Sequence, residues 1–227
     1  MKHVVFCIPT MVKPYKETLA SLEESLPLVE GAGYTHSMVS EVGCPYISNA
    51  RATMLRKALD NKADIIIFID HDVSWGHGDL LTLIDTNADV AAGTYRFKKD
   101  EEVYMGHILS KEDGTPLVRE DGLISSFDAP AGFLKVTTTA INKMIYNFPE
   151  LLYGDRHTPH FDLFNHGAHD FAWYGEDYAF CRRWRECGEQ VFTVPNLNIN
   201  HHDGEKVYKG NLHEFLMKQP GGINDGQ

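Results

Sequence analysis

Asp70 and Asp72, in Phe68-Ile69-Asp70-His71-Asp72-Val73, stand one residue apart behind the most apolar run of the chain, Ala63–Ile69. Carboxylates so spaced can hold a hard divalent cation, because Mg²⁺ or Mn²⁺ takes one or two protein carboxylates and completes its shell with phosphate oxygens and water. If the chain stays extended past Ile69, alternation turns both side chains to the same side. The competing reading is a pair of loop aspartates capping the next helix. A second acidic pair, Glu176-Asp177 in Tyr174-Gly175-Glu176-Asp177-Tyr178, opens a predicted helix. It either complements the helix dipole or offers a general base to a hydroxyl from a rigid support, a role for which Asp177 is favoured. His201-His202-Asp203 ends a short apolar run, and a neutral imidazole there is a good ligand for Mn²⁺-like ions.

These groups need elements to position them. His3–Ile8 and Ala63–Ile69 are continuous apolar runs, expected as parallel strands buried on both faces, with a further strand near Tyr34–Ser40. Helical spacing covers Glu17–Val29, which Pro27 should end or kink, and a helix reaching Leu59 with Ser48 or Asn49 as its N-cap. Leu80–Ile84 reads as a helix and Asp89–Thr94 as a strand. Two successive βαβ units imply a doubly wound α/β sheet, whose ligands sit beyond the carboxyl ends of the strands. Further on, Val103–Leu109 and Leu117–Ile124 are expected as antiparallel marginal strands around Asp113-Gly114, then a strand Phe133–Thr137 and a helix from Thr139. Leu151 to Tyr174 has no period and is crowded with His, Phe, Asp and Gly. Helix Tyr178–Cys187 and short strands Val191–Val194 and Leu197–Asn200 follow.

The chain has 227 residues, 43% hydrophobic and 23% charged, with a formal net charge of −11. Length and composition fit one domain over residues 1–219 with a flexible tail, 220–227. No run approaches the ~18 apolar residues of a membrane span. The scattered Cys7, Cys44, Cys181 and Cys187, and the absence of a signal peptide, predict a cytoplasmic protein with free thiols. Net acidity argues against sequence-blind adhesion to nucleic acid, and a divalent cation is an economical way for such a chain to handle a polyphosphate.

Taken in order, Pro9-Thr10, Asn49-Ala50-Arg51, Ile67 through Val73, Ala131-Gly132-Phe133-Leu134, Gly175-Glu176-Asp177-Tyr178-Ala179-Phe180-Cys181-Arg182-Arg183-Trp184 and Asn200-His201-His202 resemble the GT-A glycosyltransferases. The set is similar to glycosyltransferase family 2 and the yeast Golgi mannosyltransferases, and most closely to small glycosyltransferase-like proteins of bacteriophages, with the Asp-x-Asp motif at Asp70 and Asp72. The resemblance implies a GT-A fold, with a mostly parallel sheet flanked by helices, and a sugar donor of the UDP- or GDP-sugar class. It implies Mn²⁺ or Mg²⁺ on Asp72 and His201, with His202 as the alternative and Asp70 on the metal's water or the ribose. Thr10 and Glu41 would face the nucleotide base and ribose, Arg51 would lie near the nucleotide or pyrophosphate, and Ala131-Gly132 would let the backbone approach the donor sugar closely. His71 would restrict the sugar or add a ligand, Asp177 would be the base, and Glu176 would bind acceptor hydroxyls or neighbouring backbone. The acceptor it suggests is a hydroxymethylated base in phage DNA, in the host cytoplasm. Alternatives are a glycan or small-metabolite acceptor, or a non-catalytic nucleotide-sugar-binding module. A phosphatase would need a nucleophilic Asp where Pro9-Thr10 stands, and a nucleotidyltransferase a Gly-rich loop where Met11-Val12-Lys13-Pro14 stands. Arg96, Lys98 and Lys99 are candidates for lining the donor or acceptor entrance. His157, His160, His166 and His169 are expected in an acceptor-facing loop with Phe161, Phe164, Phe171 and Trp173 rather than on zinc. Oligomeric state is not legible.

Overall fold

The structure, a computed structural model, describes residues 1–219; the expected flexible tail, 220–227, lies outside the described residues. Strand β1 (His3–Thr10), helix α1 (Lys16–Gly31), β2 (Thr35–Val42), α2 (Ile47–Asp60) and β3 (Ile65–Ile69) form the first half, with β1 paired in parallel to both β2 and β3. Next come β4 (Val73–Trp75), α3 (Asp79–Asp85), β5 (Val90–Gly93), β6 (His107–Ile108), β7 (Ile124–Asp128), β8 (Phe133–Thr137) and α4 (Thr138–Asn147). A 3₁₀ turn leads to the short strands β9 (Leu152–Gly154), β10 (Pro159–Phe161), β11 (Gly167–His169) and β12 (Ala172–Tyr174). Helix α5 (Glu176–Glu186), β13 (Val191–Val194), β14 (Ile199–Asp203), β15 (Lys206–Gly210) and α6 (Leu212–Met217) complete the described chain.

The architecture is mixed α/β, a large central sheet flanked by helices. Eight strands make that sheet in the order β2-β1-β3-β8-β5-β13-β7-β6. β13 joins β5 in parallel, whereas β8 inserts antiparallel between β3 and β5, and β7 is antiparallel to β13 and β6. All strands except β7 and β8 therefore run in one direction. Period-two alternation explains the two cores. Val5, Cys7, Ile66 and Phe68 pack on one face with Leu55, Met144 and Phe180, while Phe6, Ile8, Ile65, Ile67 and Ile69 pack on the other with Leu22, Leu80 and Leu83.

A smaller sheet, β15-β14-β4, lies against the second face. Its approach requires Gly93, because a Cβ there would come within 2.4 Å of Ile199 Cδ1. Lys135 of β8 is a buried cation that no sequence pattern announced. Its ammonium donates to the carbonyls of Ile84 (2.7 Å) and Thr86 (2.6 Å), the end of α3, and burial lowers its pKa to about 8.

Several local expectations are corrected. Helix α1 runs through Pro27 to Gly31: Pro27 and Glu23 are both exposed, so water can satisfy the carbonyl that proline leaves unpaired. Helix α2 starts at Ile47 with Tyr46 as its cap residue, leaving Ser48 and Asn49 inside the first turn. The hairpin around Asp113-Gly114 consists of single bridges, Ser110 with Pro116 and Val118 with Ile124, and the regular strand β7 begins only at Ile124. The aperiodic stretch before α5 contains two small hairpins, β9–β10 and β11–β12. The run expected as Leu197–Asn200 is displaced to Ile199–Asp203, which draws both histidines into a strand. Among the described residues, no helix is long and apolar enough to cross a membrane.

Candidate functional site

A cleft of about 320 Å³ opens where β1, β2 and β3 end, lined among others by Thr10, Glu41, Arg51, His71, Asp72 and Glu176. Asp70 and His201 also line it. The two aspartates do not reach it by alternation. Asp70, His71 and Asp72 leave the strand in a turn closed by the Val73 N–H on the Asp70 carbonyl (3.2 Å). That turn is pinned to the start of α1, where the Tyr15 N–H (2.8 Å) and the Thr18 hydroxyl (3.0 Å) both donate to the His71 carbonyl.

The first half of the site is built around a buried ion pair. Arg51, 2% exposed, donates through Nη2 to Asp70 Oδ1 at 2.8 Å and through Nη1 to the Ala131 carbonyl at 3.4 Å, with Glu176 Oε1 3.6 Å from its Nε. Burial favours a neutral guanidinium, but Asp70 and Glu176 outweigh it and keep Arg51 charged. Buried Tyr95 donates its hydroxyl to Asp70 Oδ2 at 3.0 Å. Arg51 thus holds Asp70 in place at the wall of the cleft, which it also lines. Gly132 has a similar local reason. A Cβ there would meet the Tyr95 hydroxyl at 2.0 Å and Asp70 Oδ2 at 2.3 Å, so its smallness admits this contact.

The second half joins Asp72 to His201. Strand β14 pairs with β4 so that His201 lies opposite Val73, and the His202 N–H donates to the Asp72 carbonyl at 2.8 Å. Alternation along β14 then separates the two histidines. His202 is buried, its Nε2 2.8 Å from the Ser74 hydroxyl. His201 donates Nδ1–H to the Arg96 carbonyl at 2.8 Å and turns Nε2 toward Asp72 Oδ2, 3.5 Å away. With the proton fixed on Nδ1, neutral His201 presents a bare nitrogen to a carboxylate oxygen. Two lone-pair donors facing each other are a fit for a cation. Lys98 supplies one in the structure, its Nζ 2.6 Å from the same Oδ2. Burial opposes the Asp72 charge, but His201 in its protonated form and the Lys98 ammonium outweigh it and hold the carboxyl well below the usual range.

The third part is the start of α5. Glu176 faces Arg51 and the cleft. Asp177 is not among the cleft-lining side chains. Its Oδ1 accepts the Tyr178 N–H at 2.8 Å, and burial, followed by the charge of Glu176, lifts its pKa to about 7. A carboxylate so tuned is half-ionised near neutrality, as a general base requires. Beyond it, the β11–β12 hairpin carries the exposed Phe171 and Trp173, with Asp170 and Phe171 at φ of 45° and 64° in its turn.

Among the described residues, no group of three or more His, Cys, Asp or Glu side chains converges as a metal cage. Asp72 and His201 are a two-residue set, and both Asp70 oxygens are engaged by Arg51 and Tyr95. His160 stacks on Tyr153, His166 lies against Trp173, and His169 meets Tyr174. Phe164 belongs to the core, and the partly buried Phe161 packs against it. Sequence reasoning missed Tyr95 and under-used Lys98. Tyr95 follows β5 with no motif around it, whereas Lys98 was visible as a cation beyond a strand end.

No protein-family model matches the chain, and no curated protein matches it. Solved structures do. A197 from STIV aligns over 93% of this chain and 95% of its own, at 16% identity and a TM-score of 0.53. Drosophila β1,4-galactosyltransferase 7, as a mutant in complex with manganese, UDP-Gal and xylobiose, aligns over 100% of this chain and 78% of that one, at 14% identity and a TM-score of 0.47. S. aureus TarS 1–349 aligns over 96% of this chain and 63% of that one, at 14% identity and a TM-score of 0.47. The likeness to A197 is one of fold.

Proposed function

We propose that this chain is a GT-A-type glycosyltransferase that moves a sugar from a nucleoside diphosphate sugar to an acceptor hydroxyl with the help of Mn²⁺ or Mg²⁺. The observation that carries the reading is the convergence of Asp72 Oδ2 and His201 Nε2 at the cleft, with the His201 proton fixed on its other nitrogen. Two protein ligands suit a cation that shares its shell with phosphate oxygens. Charge supports the same reading. Glu41, Asp70, Asp72 and Glu176 line the cleft, answered by Arg51 within it and by Lys57 and Lys98 on Glu41 and Asp72, so a diphosphate brings negative charge beyond these pairs that a divalent cation would offset.

When bound, the metal supplies positive charge for the departing nucleoside diphosphate. The chain's own groups do the rest. Thr10 Oγ1 is buried with no partner and faces the cleft as a free hydrogen-bond group for the nucleotide, as does Glu41 beyond its 2.8 Å contact with Lys57. Asp70, neutralised by Arg51, offers its remaining lone pairs to the ribose. His71 borders the donor sugar. Asp177 takes the proton of the attacking acceptor hydroxyl, which makes the transfer inverting.

The test is a panel of UDP- and GDP-sugars with Mn²⁺, following nucleoside diphosphate release with and without hydroxymethylated DNA. Release from one donor, stimulated by that DNA and lost in Asp72→Asn, is the expected result. Metal-dependent release that survives Asp72→Asn would sink the donor-site assignment. Release stimulated by a glycan or small metabolite instead would replace the DNA acceptor.

A further inference from the structure

Lys98 holds the position where a metal would meet Asp72. Its Nζ is 2.6 Å from Asp72 Oδ2, the same oxygen that His201 Nε2 faces at 3.5 Å. The backbone carrying it is fixed. The Phe97 N–H donates to the Val103 carbonyl at 2.9 Å, Arg96 Nη2 donates to the Asp100 carbonyl at 2.9 Å, and the Arg96 carbonyl receives the His201 proton. What remains free is the side chain, a four-carbon stem that swings an ammonium through several ångströms without moving the loop. Its neighbour Lys99 is engaged elsewhere, over the Phe97 ring and near Glu101.

A divalent cation on Asp72 and His201 would stand a few ångströms from the ammonium. Two like charges at that range repel by several times thermal energy, even with the screening typical of a protein surface. Lys98 must then leave Asp72. The cleft offers it no free anion of its own, since Asp70 and Glu176 face Arg51, and Glu41 is paired with Lys57. The anion that arrives together with the metal is the diphosphate.

Resting on the donor-site reading above, we propose that Lys98 is a two-position cation. It neutralises Asp72 while the donor site is empty and moves to the donor's diphosphate when the metal takes that carboxylate. The lysine thereby keeps the acidic cleft intact without metal and makes metal and nucleotide uptake cooperative. It loosens binding of metal alone and tightens binding of nucleotide to the metal-loaded site.

Opposite signs in two equilibria provide the test. Mn²⁺ binding to the full chain is measured by calorimetry and by the loss of the free-ion paramagnetic signal, first without nucleotide. UDP and GDP are then titrated at saturating Mn²⁺. If Lys98 occupies Asp72 about nine-tenths of the time, Lys98→Met should bind Mn²⁺ about tenfold more tightly than the wild type. The same variant should bind the preferred nucleotide at least about tenfold more weakly, through the loss of one charge-assisted contact to the diphosphate. Lys98→Gln should match it, guarding against an effect of one substitution on folding. Lys98→Arg keeps the cation and should stay within about threefold of the wild type, and Lys99→Met, a surface change away from Asp72, within about twofold. Unchanged or weaker Mn²⁺ binding in both neutral variants overturns the proposal, and so does unchanged nucleotide affinity. An equal response in Lys99→Met overturns it too, by reducing the effect to general charge. A wild type that takes up Mn²⁺ and nucleotide leaves the donor site standing whichever way the variants behave. A wild type that takes up neither removes the donor site and Lys98's role with it.

Discussion

Replacing Asp177 by asparagine isolates what the start of α5 does to its carboxylate. The asparagine keeps the shape and can accept the same N–H of Tyr178, but it carries no charge. In the folded chain, burial and then the charge of Glu176 raise the Asp177 pKa from 3.8 to about 7. Between those values the folded state holds a proton that the unfolded chain has released, so stability falls as pH rises from about 4 to about 7 and then levels off. A three-unit shift corresponds to about 4 kcal/mol at 1.36 kcal/mol per unit. Residual water contact at a half-buried side chain reduces that to about 2 kcal/mol. Urea unfolding of both proteins at pH 4, 6, 8 and 9 should show nearly equal midpoints at pH 4. The variant should gain progressively to about 2 kcal/mol at pH 8 and 9, with no change in denaturant slope. Parallel profiles, or a wild type that is the more stable at pH 8, would refute the raised pKa and with it the argument for a base half-ionised at neutrality. If Asp177 is the proposed base, the same variant should also lose sugar transfer, a conflict between stability and activity.

Arg51→Met leaves Asp70 and Glu176 facing an apolar chain and should destabilise the protein by about 3–5 kcal/mol at pH 7. Arg51→Lys should recover only part of this in the same urea titration, because one ammonium cannot replace the fork that reaches Asp70 and the Ala131 carbonyl together. The paired histidines should separate in two assays. His201→Ala weakens Mn²⁺ binding at least about tenfold with little loss of stability, while His202→Ala costs about 1–3 kcal/mol through the stranded Ser74 contact and leaves Mn²⁺ affinity unchanged. The reverse pattern would exchange their roles.

The sheet's first half was legible because burial on both faces leaves a direct trace in composition. Ile65–Ile69 has no polar residue, and every one of its side chains is buried. The helices flanking it were equally plain, and their boundaries moved by only a few residues. What local patterns could not convey was strand order. Phe133–Thr137 reads simply as a strand, yet its place between β3 and β5, antiparallel to both, depends on a crossover with no local signature. Cys7 and Cys181 are free and buried, where thiols act as small apolar groups.

For the site, residue type and order along the chain made Asp70, Asp72, Glu176, Asp177 and the pair His201-His202 the candidates, since chemistry restricts which side chains can bind a cation or move a proton. The partners each would choose were not legible. Asp70 and Asp72 look equivalent in sequence, but Arg51 and Tyr95 claim the first while His201 and Lys98 face the second. His201 and His202 look interchangeable until the pairing of β14 with β4 sends one ring to Asp72 and the other to Ser74. Sequence determined which groups were available to this protein. Only the tertiary structure decided which were paired, because pairing depends on distances between strands and turns far apart along the chain, and burial makes each choice of partner energetically decisive.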